Sequence, residues 1–377
     1  MGEAIMPAPA AYFRIFATCD IGRDAIKLLH HRGYEVEVYD KPEAPPKSLI
    51  VEKVKSGIDG LITTLRDSID AEIFEAGRGT LKVVAQDAVG FDNINRADAN
   101  RYKIPFTNTA EVLTEATAEF ALLILGCVAR KLYPSERLVR ENRWAAWHPY
   151  LPFLGDEVTG KTIAVIGTGR IGQAFIRKAV GFDVDFLCFD PVLQARDFMD
   201  KIQEELDLRF RHGFTSELRT VRYVSFEEAL AGADFVTLHV PLMRQGEAET
   251  PTYHLINERS LRVMKPTAYL INTSRGPVVD EDALVAAVKA GVIAGAALDV
   301  FEKEPLPADS SLRDTGIEDR VRLFHHFASG GRITRLSTDP AKGMAGRTVQ
   351  GLIDVLERSH GENPADAPYV VNKEAFR

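Results

Sequence analysis

Cysteine is scarce in this chain of 377 residues. The three cysteines, Cys19, Cys127 and Cys188, are odd in number, and no two of them stand in a CxxC pair. This spacing predicts neither a disulfide framework nor a thiolate metal site. We therefore expect a protein of the cytoplasm, where thiols stay reduced, and no bound metal.

Long apolar runs and an excess of positive charge are also missing. The longest apolar stretch, residues 120–129, is about half as long as a membrane-spanning helix. Lysine and arginine number 46, and aspartate and glutamate number 54, which leaves a net charge of −8. We expect no membrane segment, and the charge gives no overall positive field that would bind nucleic acid.

The pattern that is present is an alternation of short β-rich runs with helical stretches. Charged residues make up 27% and hydrophobic residues 45% of the chain, an ordinary globular composition, and the length predicts two to three domains. The alternation predicts βαβ units with parallel sheets, which is an α/β fold. The runs that predict strands are 12–19, 35–39, 60–63, 81–86, 162–166, 184–189, 235–238, 268–272, 293–298 and 321–324.

Two neighbouring stretches are longer and more apolar than the rest. Residues 111–131 predict a long helix, apolar all round in its later part, that is buried between two halves of the chain. Residues 134–160 follow it and hold both tryptophans, Trp144 and Trp147. This aromatic segment could pack on its own subunit, or it could be an interface that reaches a partner.

Two later stretches are more polar. Residues 194–224 carry six basic and six acidic side chains, which predicts a solvated excursion with some helix. A helical pattern over 339–358 then closes the fold. The last residues are rich in proline and polar groups, so we expect them to be loosely ordered.

The strongest local motif is Gly-Thr-Gly-Arg-Ile-Gly at residues 167–172. It follows a predicted strand and opens a predicted helix, as the phosphate-binding turn of a dinucleotide site does. Gly167 permits the tight turn, and Gly169 lets backbone amides approach a pyrophosphate. Gly172 lets the helix and the strand pack closely. The motif therefore predicts a dinucleotide-binding loop.

An acidic residue, Asp190, ends the strand predicted after this loop. A carboxylate at this position can accept both ribose hydroxyls of an adenosine and would repel a 2′-phosphate. We therefore expect NAD(H) rather than NADP(H) as the cofactor. The alternative is that Asp190 only caps the turn before Pro191.

Charged side chains follow three later strands. Arg275 stands in a turn with Gly276 and Pro277, where a guanidinium can bind a carboxylate bidentately, although a surface salt bridge is the alternative. Glu304 and His326 each follow a further apolar strand. The carboxyl ends of parallel strands form the ligand crevice of such sheets, so these three side chains could share one site. A lone histidine is more often structural.

Taken in order, the motifs resemble those of the D-isomer-specific 2-hydroxyacid dehydrogenases. The similarity covers nearly the whole chain, and RWAAWHP at 143–149 is similar to a segment of the hydroxypyruvate and glyoxylate reductases (glycerate dehydrogenases) of that family. The other motifs that carry it are VGFDNIN at 89–95, NTAEVLTEATAEFALLIL at 108–125, GTGRIG at 167–172, NTSRGPVVDEDAL at 272–284, ALDVFEKEP at 297–305 and the histidine segment.

The resemblance implies a two-domain α/β architecture in which both domains are Rossmann-like and doubly wound. A dinucleotide-binding domain at 108–332 is inserted into a discontinuous, flavodoxin-like substrate domain at 1–107 and 333–377. It also implies a homodimer.

The resemblance implies three catalytic residues. Arg275 matches the arginine that binds the substrate carboxylate and carbonyl, Glu304 the glutamate that supports the catalytic histidine, and His326 that histidine. The family usually has proline before this histidine, and His325 stands there instead. Both histidines therefore remain candidates, with His326 preferred.

Further contacts with substrate and cofactor are implied as well. The backbone amides of Val89 and Gly90 match the loop that holds the other side of the carboxylate, and Leu65 lies in a loop expected to face the substrate. Asp299 resembles the residue that faces the nicotinamide carboxamide. The remaining implied cofactor contacts are Gly167, Gly169, Arg170, Ile171, Gly172, Asp190, His239, Pro241 and Thr273.

The expected activity is NADH-dependent reduction of a small 2-oxoacid, hydroxypyruvate to D-glycerate and glyoxylate to glycolate. Hydride addition leaves negative charge on the oxygen, which protonated His326 can neutralise while Glu304 stabilises the imidazolium. The alternatives are another D-2-hydroxyacid dehydrogenase of the D-lactate type, or a dinucleotide-sensing binding protein of the same fold.

Overall fold

The computed structural model describes residues 12–149, 154–192, 195–358 and 361–377. These residues form two compact units. Unit 1 contains the described residues up to Leu113 and those from Gly330 onward, and unit 2 contains Thr114–Ser329. None of the described helices has the length and apolarity that crossing a membrane requires.

Strands and helices alternate along both units, as the sequence predicts. The described strands are β1 (Arg14–Ala17), β2 (Glu35–Val38), β3 (Gly60–Thr63), β4 (Val83–Gln86), β5 (Phe106–Thr107), β6 (Thr162–Ile166), β7 (Asp185–Phe189), β8 (Val221–Tyr223), β9 (Phe235–Leu238), β10 (Tyr269–Asn272), β11 (Gly295–Leu298) and β12 (Val321–Leu323). The described α-helices are α1 (Arg23–His31), α2 (Lys47–Lys55), α3 (Ala71–Ala76), α4 (Arg96–Tyr102), α5 (Thr114–Ala129), α6 (Leu132–Arg140), α7 (Arg170–Ala179), α8 (Arg196–Arg211), α9 (Phe226–Gly232), α10 (Glu258–Val263), α11 (Glu281–Lys289), α12 (Arg332–Leu336) and α13 (Met344–Arg358).

Each unit contains one parallel sheet. In unit 1 the strand order is β2-β1-β3-β4-β5, the flavodoxin-like order. In unit 2 the order is β12-β11-β10-β9-β6-β7-β8. Counted from β6 as the first strand, this is the Rossmann order 3-2-1-4-5-6 with one strand added at the end. The predicted fold class is confirmed.

The central strands are buried on both faces. Every residue of β3, β4, β9 and β10 is buried, because helices cover both sides of a parallel sheet. In unit 1, Leu29 of α1 and Leu352 of α13 belong to one apolar cluster. Phe74 of α3 belongs to a second apolar cluster. Functional side chains are therefore left to the loops that follow the carboxyl ends of the strands.

Residues 195–224 are mostly accessible to solvent and contain the helix α8, as the sequence predicts, but the stretch also has a buried side that was not predicted. Met199, Ile202 and Leu206 line the buried face of α8, at a spacing that places them on one side of a helix. The last residues form β8, which pairs in parallel with β7. Charges on the outer face hid this buried face in the composition. Gln194 lies outside the described residues.

The expectation of a loosely ordered terminus is wrong for residues 361–377. Asn372 is fully buried, and its Oδ1 accepts the N–H of Phe106 at 3.0 Å. Its Nδ2 donates to the carbonyl of Ile104 at 3.1 Å. The terminus therefore covers β5, an edge strand whose backbone groups need partners. Local polarity cannot reveal a polar side chain that is satisfied inside the fold.

The two long helical patterns are shorter than the sequence predicts. The helix predicted at 111–131 is α5, and it ends before Lys131, whose φ of 50° is left-handed. The pattern at 339–358 becomes helical only from Met344.

The aromatic segment begins with α6 and continues as exposed chain. Trp144 is 53% and Trp147 is 79% exposed. The indole rings are therefore not packed into the core of unit 2, and the interface with a partner stays a prediction. Residues 150–153 of this segment lie outside the described residues.

Candidate active site

The glycine-rich loop joins β6 to α7 in unit 2. Gly167 has a φ of 96°, and a Cβ there would lie 2.7 Å from the carbonyl oxygen of His239. A Cβ at Gly172 would lie 2.1 Å from the carbonyl oxygen of Gly167. A Cβ at Gly169, by contrast, would meet nothing within 4 Å. Two glycines are thus required by the fold, and the third leaves open space at the N-terminus of α7, which fits a pyrophosphate.

Asp190 follows β7 and is anchored to this loop. Its Oδ2 accepts the N–H of Thr168 at 2.8 Å, and its Oδ1 accepts the N–H of Val192 at 2.9 Å. Asp190 therefore does cap the turn before Pro191, as the alternative interpretation predicts. Each carboxylate oxygen can accept more than one hydrogen bond, so ribose recognition stays a prediction.

Two buried polar atoms near the strand ends lack a partner. His239, after β9, bonds through Nε2 to Thr237 Oγ1 at 3.1 Å, and burial lowers the pKa of its imidazole to about 3. Within the described residues, Nδ1 of His239 and Oγ1 of Thr273 are buried without a hydrogen-bond partner. Such atoms are unusual unless a ligand or water satisfies them, so they fit a polar cofactor. Pro241 is exposed.

Arg275 is carried by a turn that two other residues shape. The buried Asn272 donates from Nδ2 to the carbonyl of Arg275 at 2.9 Å and accepts the N–H of Ser274 at 3.0 Å. A Cβ at Gly276 would lie 1.8 Å from the carbonyl carbon of Phe301, so only glycine lets these segments touch. Arg275 itself donates to the carbonyl of Ser274 at 2.8 Å.

Glu304 and His326 form an ion pair, with 2.8 Å between Oε2 and Nδ1. Burial opposes ionisation of Glu304, but the hydrogen bond and charge of His326, the N–H of Phe301 and the charge of Arg275 together lower the pKa of its carboxyl below the ordinary value. Glu304 is therefore an anion at neutral pH. The structure thus brings the three predicted catalytic residues together in unit 2.

Asp299, at the end of β11, fixes the segment that carries the histidine. Its carboxylate accepts the N–H groups of Phe327 and Ala328, both at 2.7 Å, and its carbonyl accepts the N–H of His326 at 2.8 Å. Burial raises the pKa of this fully buried carboxyl against the opposing effect of the two amides. The sequence did not predict that Asp299 holds the segment of His326. The predicted contact of Asp299 with a nicotinamide carboxamide stays a prediction.

The adjacent histidine has different contacts. His325 is exposed, and its ring stacks on Phe327 with 5.1 Å between centroids. The contact with Glu304 is made by His326. The geometry therefore favours His326 over His325 as the acid and base.

In unit 1, the loop after β4 presents two backbone amides. Asn108 holds the carbonyl of Val89 at 2.8 Å, and Gln86 holds the carbonyl of Gly90 at 3.2 Å. Among the described residues, none accepts a hydrogen bond from the N–H of Val89 or of Gly90. Two fixed amides with unused donors can bind a carboxylate.

A buried polar network behind this loop was not anticipated from the sequence. Thr63 donates to Gln86 Oε1 at 2.7 Å, and Gln86 donates to Asn93 Oδ1 at 2.7 Å. Asn93 in turn donates to the carbonyl of Thr64 at 3.0 Å, which fixes the loop that carries Leu65. The alternation of side chains along β3 and β4 could have indicated polar residues at both strand ends, but not their pairing.

Comparison with known proteins gives consistent matches. Residues 122–328 match the family model described as "D-isomer specific 2-hydroxyacid dehydrogenase, NAD binding domain". A protein named glyoxylate reductase from Korarchaeum cryptofilum is 42% identical, with 97% of each chain covered.

Solved structures are similar as well. The TT0316 protein from Thermus thermophilus superposes with a TM-score of 0.78 at 34% identity, over 95% of this chain and 99% of that one. An NADPH-dependent glyoxylate/hydroxypyruvate reductase from Sinorhizobium meliloti, in complex with citrate, has a TM-score of 0.73 at 26% identity, over 97% and 99% of the two chains.

Proposed function

Because this chain belongs to the D-isomer-specific 2-hydroxyacid dehydrogenase family, we propose that it reduces hydroxypyruvate and glyoxylate with NADH. Membership confirms the resemblance seen in the sequence and makes the chain an oxidoreductase that uses a nicotinamide dinucleotide. The names of the Korarchaeum and Sinorhizobium proteins support a small 2-oxoacid as substrate. The observation that carries the proposal is the Glu304–His326 pair in the unit that holds the glycine-rich loop.

Proton transfer is the task of His326. When bound, the reduced nicotinamide supplies the hydride that adds to carbon 2 of the oxoacid. The imidazolium of His326 donates a proton from Nε2 to the ketone oxygen and becomes neutral, since Nδ1 is turned toward Glu304. The anion of Glu304 stabilises the imidazolium before the transfer. Oxidation of the hydroxyacid reverses these steps, with neutral His326 as the base.

The proposed substrate-binding groups are hydrogen-bond donors that stabilise the negative charge of the substrate. Arg275 binds the carboxylate and steadies the developing alkoxide, because a guanidinium offers several donors in a fixed plane. In unit 1, the amides of Val89 and Gly90 offer two donors that suit a carboxylate, and Leu65 is a proposed substrate contact. Unit 1 is thus proposed as the substrate domain.

Unit 2 is proposed as the NAD(H)-binding domain. The glycine-rich loop holds the pyrophosphate, and Asp190 binds the ribose hydroxyls and repels a 2′-phosphate. The Sinorhizobium protein is NADPH-dependent, and we propose that Asp190 gives this chain the opposite preference. The other proposed contacts are Arg170, Ile171, His239, Pro241, Thr273 and Asp299.

The cellular compartment and the oligomeric state are proposed from the cysteines and the exposed tryptophans. Three free cysteines support a reducing compartment, the cytoplasm. The exposed Trp144 and Trp147 support a homodimer.

The test is a substrate panel with the purified protein. NADH and NADPH are each tried with hydroxypyruvate, glyoxylate, pyruvate and a bulky 2-oxoacid, and oxidation of the cofactor is followed by absorbance. We expect the highest kcat/KM with NADH and hydroxypyruvate or glyoxylate. Preference for pyruvate would make the chain a D-lactate-type enzyme. Dinucleotide binding without any turnover would make it a binding protein.

A further inference from the structure

The second residue of the glycine-rich loop, Thr168, is fully buried and fixed on two sides. Its N–H donates to Oδ2 of Asp190 at 2.8 Å, and its carbonyl accepts from Nε2 of Gln173 at 2.8 Å. The position of Thr168 therefore sets the position of the loop and the orientation of the Asp190 carboxylate together.

The hydroxyl of Thr168 forms a hydrogen bond with Tyr223, which is distant in the sequence. Its Oγ1 lies 2.8 Å from the phenol oxygen of Tyr223. The same phenol oxygen accepts the N–H of Ala195 at 2.7 Å. A phenol that accepts from an amide can still donate its own proton, so Tyr223 joins the glycine-rich loop to the residue directly before α8.

Tyr223 reaches the loop because β8 lies beside β7. Cys188 is opposite Tyr223 in this parallel pair, and the N–H of Val224 donates to the carbonyl of Cys188 at 3.0 Å. Asp190 follows two residues after Cys188. Tyr223 is thus delivered to the strand end where the glycine-rich loop and Asp190 lie.

The segment that delivers Tyr223 is itself well held. Gln203 of α8 accepts the N–H of Val221 at 2.9 Å and donates to the carbonyl of Arg219 at 3.0 Å. Arg219 also forms an ion pair with Asp185 of β7 at 3.2 Å. Gln203 and Arg219 therefore hold the strand that carries Tyr223 next to α8 and β7.

We infer that Tyr223 is a positioning residue for cofactor binding. Tyr223 holds Thr168 and Asp190 in the arrangement that binds the ADP-ribose half of the dinucleotide. The inference deepens the proposed function, on which it rests only for the preference of NADH over NADPH. Removal of the phenol oxygen leaves the buried hydroxyl of Thr168 and the amide of Ala195 without this partner. Buried polar groups that lose a partner are costly, so the loop shifts to recover hydrogen bonds.

The test is Tyr223→Phe, which keeps the ring and removes the oxygen. Binding of ADP-ribose, NADH and NADPH to the purified full-length protein is measured by calorimetry. We expect the Kd of ADP-ribose and of NADH to rise roughly tenfold, and the ratio of NADPH Kd to NADH Kd to fall. The KM of NADH rises in parallel, while the KM of the oxoacid and kcat at saturating NADH stay unchanged.

A matched control is Tyr269→Phe. Tyr269 is buried in the same unit and donates from its phenol to Asp156 at 2.8 Å, but it starts β10, at the opposite end of the sheet from the glycine-rich loop. This variant should lose thermal stability as Tyr223→Phe does and keep the wild-type Kd for ADP-ribose.

The partner residue supplies a second control. Thr168→Val should weaken ADP-ribose binding as Tyr223→Phe does, and Thr168→Ser should restore it. The double variant Thr168→Val with Tyr223→Phe should weaken ADP-ribose binding by less than the two single effects added together, because both substitutions remove the Thr168–Tyr223 contact.

The outcomes separate this inference from the proposed function. An unchanged Kd of ADP-ribose in Tyr223→Phe, or an equal loss in Tyr269→Phe, overturns the role of Tyr223. Wild-type protein that reduces no oxoacid, with ADP-ribose binding still weakened by Tyr223→Phe, overturns the proposed activity and supports the inference. Wild-type preference for NADPH overturns the role of Asp190 and leaves Tyr223 to be judged by ADP-ribose alone.

Discussion

At the residue scale, the backbone of His326 decides which histidine can act. Its φ of 55° is left-handed, which is uncommon for a residue other than glycine. Asp299 holds the segment in this form through its carbonyl and both carboxylate oxygens. Conformations of this kind persist where surrounding contacts enforce them, often at functional sites. The result is that Nδ1 of His326 faces Glu304, whereas His325 is left to stack on Phe327.

The first prediction concerns this choice. His326→Gln should lower kcat for oxoacid reduction by roughly 10²–10⁴-fold, because the proton donor is lost, with little change in the Kd of NADH. Steady-state kinetics, with calorimetry for NADH, checks both points.

His325→Gln is the matched control and should keep near-normal turnover. If His326→Gln turned over normally and His325→Gln were inactive, the catalytic role would move to His325. The sequence alone could not separate the two, because they are neighbours in one motif.

At the element scale, α13 and α12 act on the end of β4. Thr348 of α13 donates to Asp87 at 2.8 Å, and Arg335 of α12 lowers the pKa of this carboxyl. Burial outweighs both and raises the pKa of Asp87 to about 6. Asp87 directly precedes the loop of Val89 and Gly90, so two helices distant in sequence support a predicted substrate loop.

The second prediction is the pH dependence of stability that follows. The folded state keeps the proton of Asp87 up to about pH 6, whereas the unfolded chain releases it near the ordinary aspartate pKa of 3.8. Between these values the folded state binds more protons, so its stability falls as pH rises and levels off above about pH 6. The free energy of unfolding that Asp87 contributes at low pH, and that is lost by about pH 6, is on the order of 2–3 kcal/mol.

Urea unfolding of Asp87→Asn at pH 4.5 and 7 checks this. The variant should lose this fall in stability. Thr348→Val should instead move the fall to higher pH, because its hydrogen bond lowers the pKa of Asp87. Identical pH profiles for wild type and Asp87→Asn would contradict the prediction.

Other elements show what the residue pattern can and cannot predict. The β and α alternation predicted β3, β6 and β9 with the observed bounds, since continuous apolar runs mark strands of a parallel sheet. The pattern missed β8, a three-residue edge strand in a highly charged stretch. Its pairing depends on β7, which no local signal encodes.

At the scale of the whole molecule, the exposed aromatic segment is the feature that unit 2 does not explain by itself. Trp147 is 79% exposed, and Trp144 is 53% exposed. Large aromatic side chains carry much of the binding energy in protein interfaces. A second copy of this chain is the partner that the proposed homodimer supplies.

The third prediction is that Trp147→Ala weakens self-association by roughly tenfold or more in Kd, as measured by sedimentation velocity over a range of concentrations. Phe214→Ala, an aromatic of unit 2 that is 71% exposed elsewhere, is the matched control and should leave association unchanged. If Trp147→Ala left both association and substrate preference as in the wild type, the interface role would be wrong.

The sequence by itself determined the fold class and the glycine-rich loop, because both depend on short-range physics. Strand and helix periods are local, and so are the positive φ of Gly167 and the close approach of Gly172 to the carbonyl of Gly167. Only the tertiary structure decided that His326 rather than His325 meets Glu304, that Asp299 holds their segment, and that Tyr223 braces Thr168. These contacts join residues far apart in the chain, and partners of that kind are chosen by the packing of whole elements, which local pattern does not contain.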